Sequence, residues 1–267
     1  MSSDLSRSGS KQGLYAAEWA KERWIAVGGW TIRYREAGTG PVIILLHGLA
    51  VSADYWWRNG PPLAAAGFRV LAPDLPGFGR TCGPAGGLSI PEQAAAFNRW
   101  LLTMRLEPSV QVGHSLSCQA LLQHACWFPE RVAGLVLAAP TGDPVPHRLV
   151  RQVVGLGRDA FRESWRLKVA VAQAYLRAGP IRAVRTWYAA AAHDALVAAE
   201  GVGCPGTVVL GTRDPVVRPD FAEALAQRLG GEVVWVPDGP HAVIFDTAKE
   251  FNRAVVRFAR DVYNRTS

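Results

Sequence analysis

Short apolar runs alternate with amphipathic stretches along most of the chain. The first clear run is Val42–Leu46, and similar runs follow in FRVLAPDL, SVQVGHS and AGLVLAAP. Continuous apolar runs of this length are typical of strands buried on both faces of a parallel sheet. The stretches at residues 91–104 and 116–128 carry a helical pattern. The alternation therefore predicts a βαβ series and an α/β fold.

The same alternation predicts strands near both ends of the chain. RWIAVGG and WTIRYRE are predicted to form two strands joined at Gly28 and Gly29, because a tight hairpin turn needs residues that tolerate positive φ. After residue 200, GTVVLGT and EVVWVPD predict two more strands. Residues 219–229 and 246–263 predict the helices that follow them.

The strand pattern stops between residues 146 and 200. An arginine-rich, amphipathic helical stretch replaces it, broken at Gly179 and Pro180. Such an excursion between two strands predicts a cap over the carboxyl edge of the sheet, where ligand crevices of α/β proteins form. We therefore expect a flexible tail at 1–12, a core at 13–145 and 201–267, and a helical cap at 146–200.

Composition and charge narrow the functional classes. A chain of 267 residues with 49% hydrophobic and 19% charged residues fits one globular domain. The net charge of +7 arises in residues 146–190, which hold two acidic residues, Asp159 and Glu163, and nine basic ones: Arg148, Arg151, Arg158, Arg162, Arg166, Lys168, Arg177, Arg182 and Arg185. Since no nucleic-acid motif accompanies this stretch, nucleic acid is not an expected partner.

Location and cofactors are predicted from what the sequence does not contain. No apolar run is long enough to cross a bilayer, and the amino terminus carries no secretory signal, so we expect a cytoplasmic protein without stable membrane insertion. The four cysteines show no CxxC spacing. Neither a disulfide framework nor a metal site is expected.

Ser115 is the candidate nucleophile. The sequence V-G-H-S-L-S at 112–117 places it between a predicted strand and a predicted helix, which is the context of a nucleophile elbow. This tight turn needs small residues two positions before and after the serine. Gly113 meets the first requirement, and Ser117 stands where the second glycine is usual, so we expect tighter packing there rather than a lost function. The alternative is that Ser115 is only a helix N-cap.

His241 is the candidate general base, because a serine hydroxyl near neutral pH needs a base to take its proton. It lies in P-D-G-P-H-A at 237–242, after the last predicted strand. Loops at the carboxyl edge of a parallel sheet converge, so His241 is expected to reach the elbow. His47 and His114 flank the predicted site and are interpreted as structural.

Two aspartates are candidates for the acid that orients the histidine. Asp214 follows a predicted strand end in G-T-R-D-P, and Asp143 follows the preceding one in P-T-G-D-P. The chain order Ser, Asp, His fits both, and we favour Asp214. The oxyanion donors are expected to be the backbone amides of Leu116, directly after the nucleophile, and of Leu49, in the loop that Gly48 allows to turn.

These motifs together resemble the α/β-hydrolase superfamily. H-G-L, D-L-P-G-F-G, G-H-S-L-S, G-T-R-D and G-P-H occur in the family's order over roughly residues 24–263. The resemblance implies a mostly parallel eight-stranded sheet flanked by helices, a helical cap inserted after the sixth strand, and no cofactor in most members. It also implies structural roles for Asp74, Gly77 and Gly79. A serine at position 115 argues against epoxide hydrolase or haloalkane dehalogenase chemistry.

The expected activity is hydrolysis of a small-molecule carboxylic ester through an acyl-enzyme. A thioesterase, lactonase or carbon–carbon bond hydrolase of the same fold is the alternative, because the same residues serve all of them. A non-catalytic ligand-binding member would be favoured by loss of Ser115, Asp214 or His241, and none is lost. Trp56, Trp165 and Trp187 suggest a pocket for an apolar or aromatic group, unless they are core aromatics.

Overall fold

The computed structural model describes residues 20–144, 155, 175–176 and 178–266. The predicted tail at 1–12 and most of the predicted cap lie outside these residues. So do Trp165 and seven of the nine basic residues of the arginine-rich stretch.

Eight strands of the described chain form one sheet, in the order β1-β2-β4-β3-β5-β6-β7-β8. Strand β2 pairs antiparallel with both β1 and β4, and strands β3 to β8 are parallel. The predicted mostly parallel eight-stranded sheet is therefore confirmed. The strands are β1 (Lys21–Val27), β2 (Trp30–Ala37), β3 (Val42–Leu46), β4 (Arg69–Pro73), β5 (Ser109–His114), β6 (Val132–Ala138), β7 (Gly206–Gly211) and β8 (Val233–Val236).

Helices flank this sheet. They are α1 (Gly60–Ala65), α2 (Ile90–Thr103), α3 (Leu116–Trp127), α4 (Pro180–Ala191), α5 (Ala195–Glu200), α6 (Pro219–Arg228), α7 (Val243–Asp246) and α8 (Ala248–Thr266), with 3₁₀ turns at Ala53–Trp56 and Pro129–Arg131. The single final helix expected from the sequence is divided at Thr247. Helix α5 lies within the range assigned to the cap, yet its Ala195 and Ala199 pack beside α3 in the core.

The inner parallel strands β3 to β7 are buried on both faces, as their continuous apolar runs predict. Ile44 and Leu46 of β3 pack into one hydrophobic cluster, and Ile43 and Leu45 pack into the other. Helices α2, α3, α5 and α6 cover the first face, while α1, α7 and α8 cover the second. Because six strands are parallel, the loops that leave their carboxyl ends gather along one edge of the sheet.

A hairpin and a group of buried ion pairs fix the amino-terminal part of the carboxyl edge of the sheet. Gly28 and Gly29 both have positive φ, 52° and 89°, and join β1 to β2 as predicted. On β2, the guanidinium of Arg33 is completely buried and donates to Asp54 at 2.6 Å and to Asp74 at 3.1 Å. Asp74 also accepts the amide of Ala53 at 2.7 Å. These bonds hold the loops after β3 and β4 together.

Candidate active site

The turn between β5 and α3 has the strained geometry of a nucleophile elbow. Ser115 has φ 57° and ψ −118°, a region that residues other than glycine rarely occupy. It precedes the first residue of α3, but its side chain forms no capping hydrogen bond to the helix. At Gly113 a Cβ would lie 2.9 Å from Leu121 Cδ1 and 3.1 Å from the amide of Cys118. A Cβ at this position would be crowded, so glycine suits the tight turn.

Ser115, His241 and Asp214 form a continuous chain of hydrogen bonds. His241 Nδ1 lies 2.9 Å from Asp214 Oδ2, and His241 Nε2 lies 3.1 Å from Ser115 Oγ. A carboxylate only accepts hydrogen bonds, so Nδ1 of the neutral imidazole carries the proton. Nε2 is then left to accept from the serine hydroxyl. The three residues come from loops after β5, β7 and β8, as the sequence order predicts.

Backbone contacts bring the loops of Asp214 and His241 together. The amide of Thr212 donates to Val236 O at 3.0 Å, and the amide of Arg213 donates to Gly239 O at 2.9 Å. At Gly211 a Cβ would collide with the carbonyl of Gly239. This close approach explains the glycines in G-T-R-D and G-P-H.

Asp214 is held as a carboxylate in a buried position. Burial alone would raise its pKa, but His241 and the amides of Val216 and Val217 hold the pKa below its usual value. These amides donate to Oδ1 at 2.7 and 3.1 Å, while Oδ2 faces the histidine. The carboxylate therefore stays ionised where it meets the imidazole.

Asp143, the competing candidate, lies in the loop after β6. It is buried, and its Oδ2 is 4.0 Å from Arg218 Nε. The carboxylate at hydrogen-bond distance from Nδ1 of His241 is that of Asp214. The structure thus brings Asp214, rather than Asp143, to the histidine.

The two histidines interpreted as structural form buried hydrogen bonds to the backbone. His114 Nε2 lies 3.0 Å from the carbonyl oxygen of His241, and burial together with the nearby His241 lowers the pKa of His114 to about 3. His47 Nε2 accepts the amide of Leu75 at 3.0 Å. Its Nδ1 then donates to Gly48 O at 2.8 Å, and burial lowers the pKa of His47 as well. Both rings are neutral and link loops around the site.

Leu49 and Leu116 line the same cavity as Ser115, and Leu49 packs against the small cluster that contains Leu116. Leu116 is the first residue of α3, and first-turn amides have no partner within their own helix. At Gly48 a Cβ would lie 3.1 Å from His114 O, so the loop that carries Leu49 passes close to the elbow. Both predicted oxyanion residues are therefore next to the serine.

A cavity of about 340 Å³ opens beside Ser115 and His241. Helix α4 forms much of its wall. The lining residues are mostly apolar: Gly48, Leu49, Val51, Tyr55, His114, Ser115, Leu116, Gln119, Thr141, Gly142, Tyr175, Pro180, Ala183, Val184, Trp187, Ala190, Ala191, Val216, His241 and Ala242. The volume is at the lower end of the ~300–1,000 Å³ range of small-molecule sites.

Trp56 and Trp187 were both predicted to line the pocket, and of these two only Trp187 does so. Trp187 lines the wall, but Trp56 is completely buried, stacks on Phe251 at a ring distance of 6.2 Å and does not line the cavity. Its neighbour Tyr55 faces the cavity instead. Gln119 also lines the cavity but was not predicted from the sequence. It follows Ser115 by four residues, a spacing that places both on the same side of α3.

Among the described parts of the chain, no group of three or more His, Cys, Asp or Glu side chains is arranged to hold a metal ion. None of the helices in these ranges is both long and apolar enough to cross a bilayer.

Known proteins resemble this chain in sequence and in fold. An uncharacterized protein of Mycobacterium tuberculosis is 35% identical over 116 residues, which cover 43% of this chain and 34% of that protein. A 2-hydroxy-6-oxo-6-phenylhexa-2,4-dienoate hydrolase of Burkholderia cepacia is 32% identical over 119 residues, 42% of this chain and 40% of that enzyme. The matches thus span less than half the length of these relatives.

Structural similarity extends over nearly the whole chain. A thermophilic esterase from Thermogutta terrifontis superimposes with a TM-score of 0.78 at 21% identity, covering 91% of this chain and 99% of the esterase. At that identity the likeness concerns the fold alone. The sequence model of the alpha/beta hydrolase family matches residues 43–254, from β3 into α8. This match covers well over half of the chain, and the chain therefore belongs to the alpha/beta hydrolase family.

Proposed function

We propose that this protein hydrolyses carboxylic esters, with Ser115 as nucleophile, His241 as general base and Asp214 as the acid that orients the imidazole. The observation that carries the proposal is the hydrogen-bond chain from Ser115 Oγ through His241 to Asp214, at the wall of an apolar cavity. The strained backbone of Ser115 supports it, since such strain persists where it serves a function.

The first half-reaction forms an acyl-enzyme. Ser115 Oγ attacks the ester carbonyl carbon while its proton passes to Nε2 of His241. The carbonyl oxygen becomes an oxyanion, which the amides of Leu49 and Leu116 stabilise. When this intermediate collapses, the bond to the alcohol oxygen breaks. The leaving alkoxide takes the proton from Nε2.

The second half-reaction returns the enzyme to its starting state. His241 takes a proton from a water molecule, and the resulting hydroxide attacks the acyl carbon. Collapse of the second intermediate breaks the bond to Ser115 Oγ, which regains its proton from Nε2. The carboxylic acid product leaves. Asp214 stabilises the imidazolium in both halves, because its carboxylate remains ionised beside Nδ1.

The cavity wall favours an uncharged substrate with an apolar acyl or alcohol part. Of the residues described as lining it, none is Lys, Arg, Asp or Glu, and the polar groups besides Ser115 and His241 are neutral. Trp187 and Val184 of α4 supply apolar surface to this cavity. Burying such groups releases about 25 cal/mol per Å² of apolar area, which supports binding without ion pairs.

Carbon–carbon bond hydrolysis is the second candidate, because the Burkholderia cepacia relative is a hydrolase of a dienoate. That substrate is a carboxylate, and a cation at the cavity wall would favour it. The uncharged lining described above instead favours a neutral ester. Thioesters and lactones use the same attack on a carbonyl carbon and remain close alternatives within the proposal.

A substrate panel tests this choice. Purified protein is assayed with p-nitrophenyl esters from acetate to decanoate, with an acyl thioester, with a lactone, and with 2-hydroxy-6-oxo-6-phenylhexa-2,4-dienoate. We expect kcat/KM to be highest for a neutral ester of intermediate chain length. Cleavage of the dienoate without turnover of any ester would replace the proposal by its alternative.

A further inference from the structure

Ser117 occupies a position where the nucleophile-elbow pattern has glycine. It is the second residue of α3 and lies two positions after Ser115. Its side chain is completely buried. A serine in place of glycine adds a hydroxyl to the most crowded part of the turn, and that hydroxyl has specific partners.

The Ser117 hydroxyl joins two strands. Its oxygen accepts the amide of His114 at 2.9 Å and donates to the carbonyl of Leu46 at 2.7 Å. The carbonyl of His114 lies 3.0 Å from the same oxygen. Since a hydroxyl has one proton and two lone pairs, one donated and one accepted bond satisfy most of its capacity.

These partners stand at the points where the two strands end. Leu46 and Gly113 form the last residue pair between β3 and β5. Leu46 leads directly into the loop that carries Leu49, and His114 leads directly into Ser115. The hydroxyl therefore links the residue before Ser115 to the residue before the loop of Leu49, beside the last pair between β3 and β5.

The linkage matters because both segments need support. Ser115 keeps φ at 57° against steric strain, held by its amide, which donates to Ala138 O at 2.9 Å. That bond ties the serine to β6, on the side away from β3. Ser117 supplies the connection on the β3 side, towards the loop that carries Leu49.

We propose that Ser117 is a positioning residue, whose buried hydroxyl fixes the distance between the nucleophile Ser115 and the oxyanion amide of Leu49. The inference rests on the proposed acyl-transfer function. It assigns to Ser117 a contribution to transition-state stabilisation that glycine at this position does not supply. A misplacement of about 1 Å can cost as much as a hundredfold in rate, so the loss of this link should affect kcat.

The test compares Ser117→Ala and Ser117→Cys with a matched control. The alanine variant removes the hydroxyl, while the cysteine variant keeps a group of similar size that forms weaker hydrogen bonds. Thr207→Val is the control, because Thr207 Oγ1 is also buried and donates to a backbone carbonyl, Glu232 O at 3.0 Å. Thr207 lies near the start of β7, at the opposite edge of the sheet from Ser115.

Three measurements are made on each protein. Active sites are titrated with a fluorophosphonate, so that kcat refers only to folded, reactive molecules. The constants kcat and KM are measured with the best p-nitrophenyl ester of the panel. The inhibition constant of phenylboronic acid is then determined, because its tetrahedral adduct with serine resembles the transition state.

We expect kcat per titrated site to fall about tenfold or more in Ser117→Ala, with KM changed less than about threefold. The inhibition constant of phenylboronic acid should rise in parallel, and Ser117→Cys should be intermediate. Thr207→Val should lose stability but keep kcat. If Ser117→Ala does not fold, Ser117→Cys tests the inference, which then requires a lower kcat and weaker boronate binding in that variant.

The opposite results would overturn the inference. If both Ser117 variants keep kcat and boronate affinity per titrated site, and lose only thermal stability as Thr207→Val does, then Ser117 is merely structural. This failure is distinct from failure of the proposed function. In that second case the wild-type protein would neither turn over esters nor react with the fluorophosphonate.

Discussion

Asp214 Oδ2 lies 2.9 Å from His241 Nδ1, and both side chains are almost completely buried. In this water-poor setting the carboxylate has two sets of partners, the imidazole on one oxygen and the amides of Val216 and Val217 on the other. A buried carboxylate with such partners fixes both the tautomer and the orientation of the ring. The neighbouring Asp143 has its own contact with Arg218.

The two aspartates are therefore expected to differ sharply as asparagine variants. Asp214→Asn should lower kcat by about 10⁴-fold, because an amide no longer stabilises the imidazolium and can favour the wrong tautomer. Asp143→Asn should stay within about tenfold of wild type. Steady-state kinetics on the best ester checks both, and circular dichroism confirms that each variant folds. The reverse order of effects would assign the orienting acid to the loop after β6.

Ser115→Ala should abolish turnover while leaving the fold intact. Loss of the nucleophile is expected to lower kcat by roughly 10⁴-fold or more, since the residues of such a site act as a unit. Alanine removes the hydrogen bond to His241 Nε2 but leaves the packing of the strands and helices in place, so the thermal midpoint should change little. A fluorophosphonate probe followed by peptide mass spectrometry should label Ser115 in wild type. Equal labelling of wild type and variant would show that another residue reacts.

Much of this architecture could be predicted from local sequence patterns. The continuous apolar run of β3 indicates burial on both faces, and G-H-S-L-S marks the turn between a strand and a helix. The meeting of Ser115, Asp214 and His241 was predictable, because parallel strands bring the loops at their carboxyl ends to one edge of the sheet. Each of these inferences depends on a feature that a few adjacent residues carry.

The features that were not predicted depend on contacts between distant residues. Tyr55 and Trp56 are adjacent and both aromatic, and only the orientation of a short 3₁₀ turn puts one at the cavity and the other against Phe251. Asp214 was favoured over Asp143 from the sequence, although the two have nearly the same local sequence, G-T-R-D-P and P-T-G-D-P. The choice between them is made by the contact of the loops after β7 and β8, where Gly211 meets Gly239.

Trp187 should limit the length of the group that the cavity accepts. It lines the same cavity as Ser115, so Trp187→Ala should enlarge the cavity. We expect the ratio of kcat/KM for a long-chain ester to that for acetate to rise about tenfold, a size typical of one or two methylene groups in an apolar pocket. Trp127→Ala is the control, since Trp127 is half-exposed at the end of α3 and does not line the cavity. An unchanged ratio would place the chain-binding part of the cavity elsewhere.

Arg33 should be essential for stability, because it neutralises several carboxylates in a buried position. Its guanidinium bonds to Glu22, Asp54 and Asp74. Arg33→Met removes the cation that bonds to the buried carboxylate of Asp74. We expect the free energy of unfolding to fall by about 3–5 kcal/mol. Arg23→Met removes the half-exposed pair with Glu36 and should cost less than about 1 kcal/mol. Urea denaturation of both variants measures the difference, and similar costs would contradict it.

The buried His124 should make the stability of the protein depend on pH in the acid range. This ring packs against Phe97 and Phe128, with Nε2 at 3.4 Å from Asn98 Oδ1. Burial, together with the positive charge of Arg131, lowers the pKa of His124 to about 3. Between about pH 6.5 and pH 3 the unfolded chain binds a proton at this position that the folded protein does not. Stability from His124 is therefore complete above pH 6.5 and is lost as the pH falls.

His124→Gln removes this proton linkage and keeps an amide that can donate to Asn98. Between pH 8 and pH 5 the wild type should lose about 2 kcal/mol more of its free energy of unfolding than the variant, since one pKa unit corresponds to about 1.4 kcal/mol. The comparison uses the difference between the two pH values, so any cost of the substitution that does not depend on pH cancels, as do the shared contributions of the carboxylates. Urea titrations at both pH values measure it. Equal losses in the two proteins would mean that folded His124 takes up a proton as readily as it does in the unfolded chain.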